Sequence, residues 1–119
     1  MTARVLLVDD NDANRLTLSA LLVSEGFQTT ESSSLADARR SLAVASMFDL
    51  VLLDLHLNDG LGLELIPAVR AQLPSCKIII VSGSGKDDGS GAFDSADGYF
   101  GKGEDLESLF EKIHTLLGI

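Results

Sequence analysis

Five polar residues interrupt or close otherwise apolar stretches. Asp9 and Asp10 follow RVLLV, Asp54 follows DLVLL, Ser82 follows KIIIV, and Lys102 comes just after GYF. If those stretches are parallel strands, their carboxyl ends share one edge of a sheet, and the five residues converge there. Three carboxylates brought together repel one another, and each is pushed toward its protonated form unless a cation sits among them. A hard, oxygen-preferring divalent ion such as Mg²⁺ fits that need, because it takes one or two carboxylates and bridges to phosphoryl oxygens. A hydroxyl and an ammonium alongside would hold the remaining phosphoryl oxygens. A carboxylate nucleophile with Mg²⁺, a hydroxyl donor and a lysine makes a complete phosphoryl-accepting site. Each residue alone has a plainer reading. Asp-Asp before a helix is often a cap, Ser-Gly commonly opens a loop, and most lysines are solvated. Asp54 is harder to dismiss, because a carboxylate at the end of a buried strand is costly unless it is used.

The elements that must position these residues alternate. Arg4–Val8 reads as a strand buried on both faces. Asp12–Ser24 reads as a helix, capped by Asn11 or Asp12, with Ala13, Leu16, Ala20 and Val23 on one face and Leu21 and Leu22 widening it. Phe27–Glu31 is a more polar, edge-like strand, and Ser33 or Ser34 caps a second helix with Asp37 in its first turn. Asp49–Leu55 is the most apolar run and the expected central strand. A third helix covers about Leu61–Gln72, with Leu63, Ile66, Val69 and Leu73 inward; Pro67 either bends it or lies in its first turn. Lys77–Val81 and Gly98–Phe100 are two further strands. Glu104–Leu117 is an amphipathic final helix, with Leu106, Leu109, Phe110, Ile113, Leu116 and Leu117 inward. This alternation implies an α/β domain with a doubly wound parallel sheet. Seven of the ten residues Ser82–Gly91 are Gly or Ser, so a long loop is expected there, with at most a short helix near Ala92–Ala96.

The 119 residues hold enough chain for one domain, read as 1–119, with no internal repeat or linker. Nine basic against 18 acidic residues give a net charge of −9, which disfavours direct binding to nucleic acid or to an anionic membrane surface. No apolar run approaches a membrane span, and the first ten residues do not form a signal peptide. The single cysteine, Cys76, excludes an internal disulfide and fits a reducing cytoplasm; with no base near it in sequence it reads as inert. His114, on the final helix, reads as a surface residue.

The segments VLLVDDN, DLVLLDLHLNDGLGLEL, IIIVSGSG and ADGYFGKGEDLESL together resemble the receiver domain of two-component response regulators, along the whole chain. The resemblance implies a flavodoxin-like (βα)₅ fold with strand order 2-1-3-4-5. It implies a signalling phosphoacceptor, not a turnover enzyme, whose self-catalysed reactions are its own phosphorylation and dephosphorylation. By position, Asp54 corresponds to the phosphoacceptor, Asp10 to the direct Mg²⁺ ligand and Asp9 to one acting through water. Asp54 itself and the backbone carbonyl of His56 complete the metal set. Ser82 and Lys102 correspond to the hydroxyl and the lysine that contact the phosphoryl group, and Tyr99 to the aromatic switch. His56 and Ser84 correspond to positions that tune hydrolysis, and the small Ser84 leads us to expect ordinary or fast phosphoryl loss. The implied partners are a sensor histidine kinase or phosphotransfer protein and an output domain or target; homodimerisation is left open. With the chain ending at its last helix, it reads as a stand-alone receiver or a part of a larger regulator or hybrid kinase.

Three departures from the family pattern stand out. Asn58 replaces a usual proline, so the loop after Asp54 is expected to be less rigid. Gly103 replaces the proline that usually follows the lysine, so the Lys102 loop is expected to be looser. The stretch between Ser82 and Lys102 is short and lacks an ordinary fourth-helix pattern, so that helix is expected to be short or irregular and the output face to differ. Three rival readings are weaker. An aspartate-dependent phosphatase would carry a second Asp two residues after the nucleophile, where His56 stands. A pseudo-receiver would not need the intact acceptor set. A flavodoxin-type cofactor binder would not place Asp9 and Asp10 against a phosphate.

Overall fold

The structure is a computed structural model that describes residues 2–44, 47–83 and 96–119. Five parallel strands form the sheet: β1 (Arg4–Val8), β2 (Gln28–Ser32), β3 (Leu50–Asp54), β4 (Lys77–Ser82) and β5 (Gly98–Gly101). Their order is β2-β1-β3-β4-β5, as the family resemblance implies. The central strand β3 is buried at every residue, which is why its sequence is a continuous apolar run and not an alternating one. Residues 84–95, where the loop and the short helix are expected, lie outside the described residues.

Four helices are described: α1 (Asp12–Ser24), α2 (Leu35–Val44), α3 (Ile66–Gln72) and α4 (Leu106–Leu117). Two apolar layers sandwich the sheet. On one side, Val5, Leu7, Leu50, Leu52 and Ile79 meet Leu22 of α1 and Leu109 and Ile113 of α4. On the other, Leu6, Val8, Val51, Leu53, Ile78 and Ile80 meet α2 and α3. Alternate residues of each buried strand therefore serve opposite layers.

Two helix faces differ from the sequence expectation. α1 buries Ser19 and Leu22, with Leu18 partly covered, while Leu16 and Val23 are each 58% exposed. The helix carries two apolar stripes, and the one containing Leu22 wins because it faces Val5, Leu7 and Phe27 on the sheet side. Leu106, expected inward, opens the first turn of α4 and is 39% exposed. The Pro67 alternatives resolve in favour of the first turn: a 3₁₀ turn over Gly62–Leu65 precedes α3, and Pro67 sits where no intrahelical N–H is needed.

The caps are local and legible. The Asn11 side chain accepts from the Asn14 N–H at 2.9 Å to start α1, and Ser34 Oγ accepts from the Asp37 N–H at 3.0 Å to start α2. A second cap on α2 comes from far along the chain. The Asp59 carboxylate accepts from the N–H groups of Leu35 and Ala36 at 2.9 and 3.1 Å. Asp59 lies at the tip of a small hairpin that pairs His56–Leu57 with Gly60–Leu61, directly after β3. Gly62 then turns the chain under the end of β3, donating its N–H to the Leu55 carbonyl at 2.7 Å. A side chain at Gly62 would collide with the Asp54 carbonyl oxygen. We predict that Gly62→Ala destabilises the fold by about 3 kcal/mol in urea unfolding; a loss near zero would show that this loop shifts freely.

Candidate functional site

Register decides which side chains meet. Val8 of β1 pairs with Leu53 of β3, Asp54 with Val81 of β4, and Ser82 with Gly101 of β5. Asp9, Asp54, Ser82 and Lys102 are the next residues in line, so all emerge at the same edge. Backbone bonds continue the pairing past the strands: Leu55 N–H to the Val81 carbonyl at 3.1 Å, and Lys102 N–H to the Ser82 carbonyl at 3.0 Å.

Carboxylate oxygens of Asp9, Asp10 and Asp54 lie within 4.8 Å of one another. Asp9 and Asp54 are buried and Asp10 is half-buried. Lys102 Nζ reaches Asp54 Oδ2 at 3.1 Å. Burial pushes the Asp54 carboxyl above its usual range, and the neighbouring Asp9 charge pushes the same way; Lys102 and the His56 N–H pull it back. Ser82 is buried at the end of β4, and the half-buried Tyr99 directs its hydroxyl to the Ser82 carbonyl at 3.5 Å. The sequence-expected residues Asp9, Asp10, Asp54, Ser82, Tyr99 and Lys102 are thus together. Ser84 lies outside the described residues. His56 is exposed, and its ring is not among the clustered metal-ligating groups found in the described residues.

Arg15 was not singled out from the sequence. Its guanidinium donates to the Asp9 carbonyl at 2.9 Å, to Asp12 at 2.7 Å and to Glu31 at 3.1 Å, fixing the start of the acidic turn. The only sequence signal was the Asp12–Arg15 spacing on one helix. A cleft of about 250 Å³ opens beside the site, lined by Asp9, Asn14, Thr17, Val81, Phe100 and Lys102. Cys76 is buried and its thiol is pushed up to about 12, chiefly by burial, which fits an inert residue. His114 is exposed, with its ring 6.4 Å from that of Phe27.

Residues 5–114 match the response regulator receiver domain family. The chain belongs to this family. The receiver is 31% identical over 116 residues to the cell cycle transcriptional regulator CtrA of Caulobacter vibrioides, covering 96% of this chain and 50% of that one. It spans half or less of the length of the curated relatives it matches. A CheY-like receiver domain protein from Methanospirillum hungatei has the same fold, with a TM-score of 0.90 and 28% identity over 99% of this chain and 95% of that one. The response regulator TrrA from Thermotoga maritima, solved in complex with Mg²⁺–BeF, matches with a TM-score of 0.87 and 27% identity over 97% of this chain and 99% of that one. The flavodoxin-like receiver fold is therefore established, and the chain is the receiver domain of a two-component response regulator. No helix among the described residues is long and apolar enough to cross a membrane.

The raised Asp54 carboxyl has a consequence for stability. Between the ordinary value of 3.8 and the folded value, the native state holds a proton that the unfolded chain has released. Stability therefore falls as pH rises through that window, and the penalty is complete above it. We predict that Asp54→Asn, without divalent cations, raises the urea midpoint at pH 7 and that the gain shrinks toward pH 4. A variant less stable than the unsubstituted receiver at pH 7 would contradict the cause assigned to the shift.

Proposed function

We propose that the receiver is a phosphoacceptor in which Asp54 takes a phosphoryl group from a phosphohistidine on a sensor histidine kinase or phosphotransfer protein. The observation that carries this is the buried Asp54 carboxylate. It ends the central strand, is bound by Lys102, and lies within 4.8 Å of two further carboxylates. One Asp54 oxygen forms the bond to phosphorus as the donor's phosphorus–nitrogen bond breaks, and the leaving nitrogen takes a proton from solvent. Lys102 and the Ser82 hydroxyl bind the phosphoryl oxygens that Asp54 acquires. The reaction modifies the receiver itself, so the module is a signalling phosphoacceptor and not a turnover enzyme.

The acidic cluster fits Mg²⁺, since all its donors are carboxylate oxygens and two of the three residues are buried, where unbalanced charge is costly. Asp9, Asp10, Asp54 and the backbone carbonyl of His56 would hold the ion. An ion held there would supply positive charge to offset that of the transferring phosphoryl group.

Tyr99 is the switch. Its hydroxyl already touches the backbone of Ser82, so a change at Ser82 reaches the aromatic ring directly. The altered surface then selects an output domain or target protein. His56 and Ser84 set how readily water attacks the acyl phosphate. The buried Cys76 and the absence of a membrane-spanning helix among the described residues fit work in the cytoplasm.

We expect incubation with phosphoramidate or acetyl phosphate to add the mass of one phosphoryl group, only with Mg²⁺ and not in Asp54→Asn. Intact mass measurement checks it. No gain, together with no binding of beryllium fluoride in Mg²⁺, would turn the reading to a module that works by protein binding alone.

A further inference from the structure

Lys102 stands on a four-residue turn, Gly101 to Glu104, that the sequence leads us to expect to be loose. It is closed twice by one residue. The Glu104 N–H donates to the Gly101 carbonyl at 2.9 Å, and the Glu104 carboxylate accepts from the Gly101 N–H at 2.6 Å. The other carboxylate oxygen pairs with Lys112 Nζ at 3.1 Å. Lys112 belongs to α4, and its ammonium also lies 5.7 Å from the centre of the Phe100 ring. The Gly101 N–H and then Lys112 hold the Glu104 carboxyl below the usual carboxylate range, so it is charged at neutral pH.

We propose that Glu104 is a positioning residue for Lys102: its carboxylate, held between the Gly101 amide and Lys112, fixes the turn that aims the Lys102 ammonium at Asp54. The inference rests on the phosphoacceptor reading. Three observations support it. Lys102 follows Gly101 directly and has its own N–H fixed on the Ser82 carbonyl, so the turn is the part of the chain left to set its side-chain direction. Glu104 is exposed and touches neither Asp54 nor the acidic cluster, so it acts only through the turn. A Cβ built at Gly101 would lie 3.2 Å from the Glu104 carboxylate and 3.4 Å from the Tyr99 hydroxyl, so clasp and switch flank the same residue. The exposed Glu104–Lys112 pair is the weaker half of the device, and the short charge-assisted bond to the backbone is the stronger.

A double-mutant cycle in the whole chain tests this, with phosphoramidate and Mg²⁺ and the rate of phosphoryl gain read by intact mass. Glu104→Ala should slow phosphorylation roughly three- to tenfold, and Glu104→Gln, which keeps an acceptor oxygen, should slow it less. In a Lys102→Ala background, Glu104→Ala should cost no further rate, because a residue acting through Lys102 has nothing left to position. Amide exchange at Gly101 should accelerate in Glu104→Ala. An unchanged rate in Glu104→Ala, or the same slowing with and without Lys102, would overturn the inference while leaving Asp54 as the acceptor. If the unsubstituted chain takes no phosphoryl group, the phosphoacceptor reading falls, and this inference with it.

Discussion

A buried carboxylate among like charges is the condition around which the rest of this molecule is arranged. Asp54 ends a strand that is buried at every residue, and Asp9 and Asp10 crowd against it. Such a group survives in a fold only if something else bears the cost of its charge. In the protein as described, Lys102 supplies part of that compensation from 48 residues away in the chain. The remainder comes from a large apolar sandwich that gains nothing from Asp54. Stability and the charged cluster are drawn from separate residues: Leu50 to Leu53 hold the strand in place, and the residue after them, Asp54, carries the buried charge.

That separation explains why so much was legible in the sequence. Buried parallel strands are apolar on both faces, so RVLLV, LVLL and KIIIV announce themselves and the polar residue that stops each one is conspicuous. Pairing then needs only the right-handed alternation of strand and helix to bring Asp9, Asp54, Ser82 and Lys102 to one edge. Local hydrogen bonding was nearly as readable: each helix start was narrowed to two neighbouring residues, of which Asn11 and Ser34 form the caps.

What could not be read depends on contacts between residues far apart in sequence, or on a choice between near-equal local solutions. α1 carries two apolar stripes, and nothing within the helix says which one meets the sheet; Leu22 and Phe27 settle it together. The Arg15 bridge to the Asp9 carbonyl and Glu31 needs β1 and β2 already paired. The two missing prolines at Asn58 and Gly103 point toward looser loops, yet each loop is tied by a carboxylate nearby, Asp59 in one case and Glu104 in the other. A carboxylate that binds backbone amides in a turn looks, in sequence, like any other solvated acid.

The cap that Asp59 places on α2 joins two segments more than 20 residues apart, and it does so from the hairpin that immediately follows the central strand. Opening that hairpin strips the Leu35 and Ala36 N–H groups of their Asp59 acceptor and leaves the start of α2 to Ser34 alone, and fraying α2 removes the same two bonds from the hairpin. The two segments should behave as a single cooperative unit in local unfolding, protected from hydrogen exchange together and lost together. A helix with no residue in the acidic cluster is thereby made thermodynamically continuous with the loop beside Asp54.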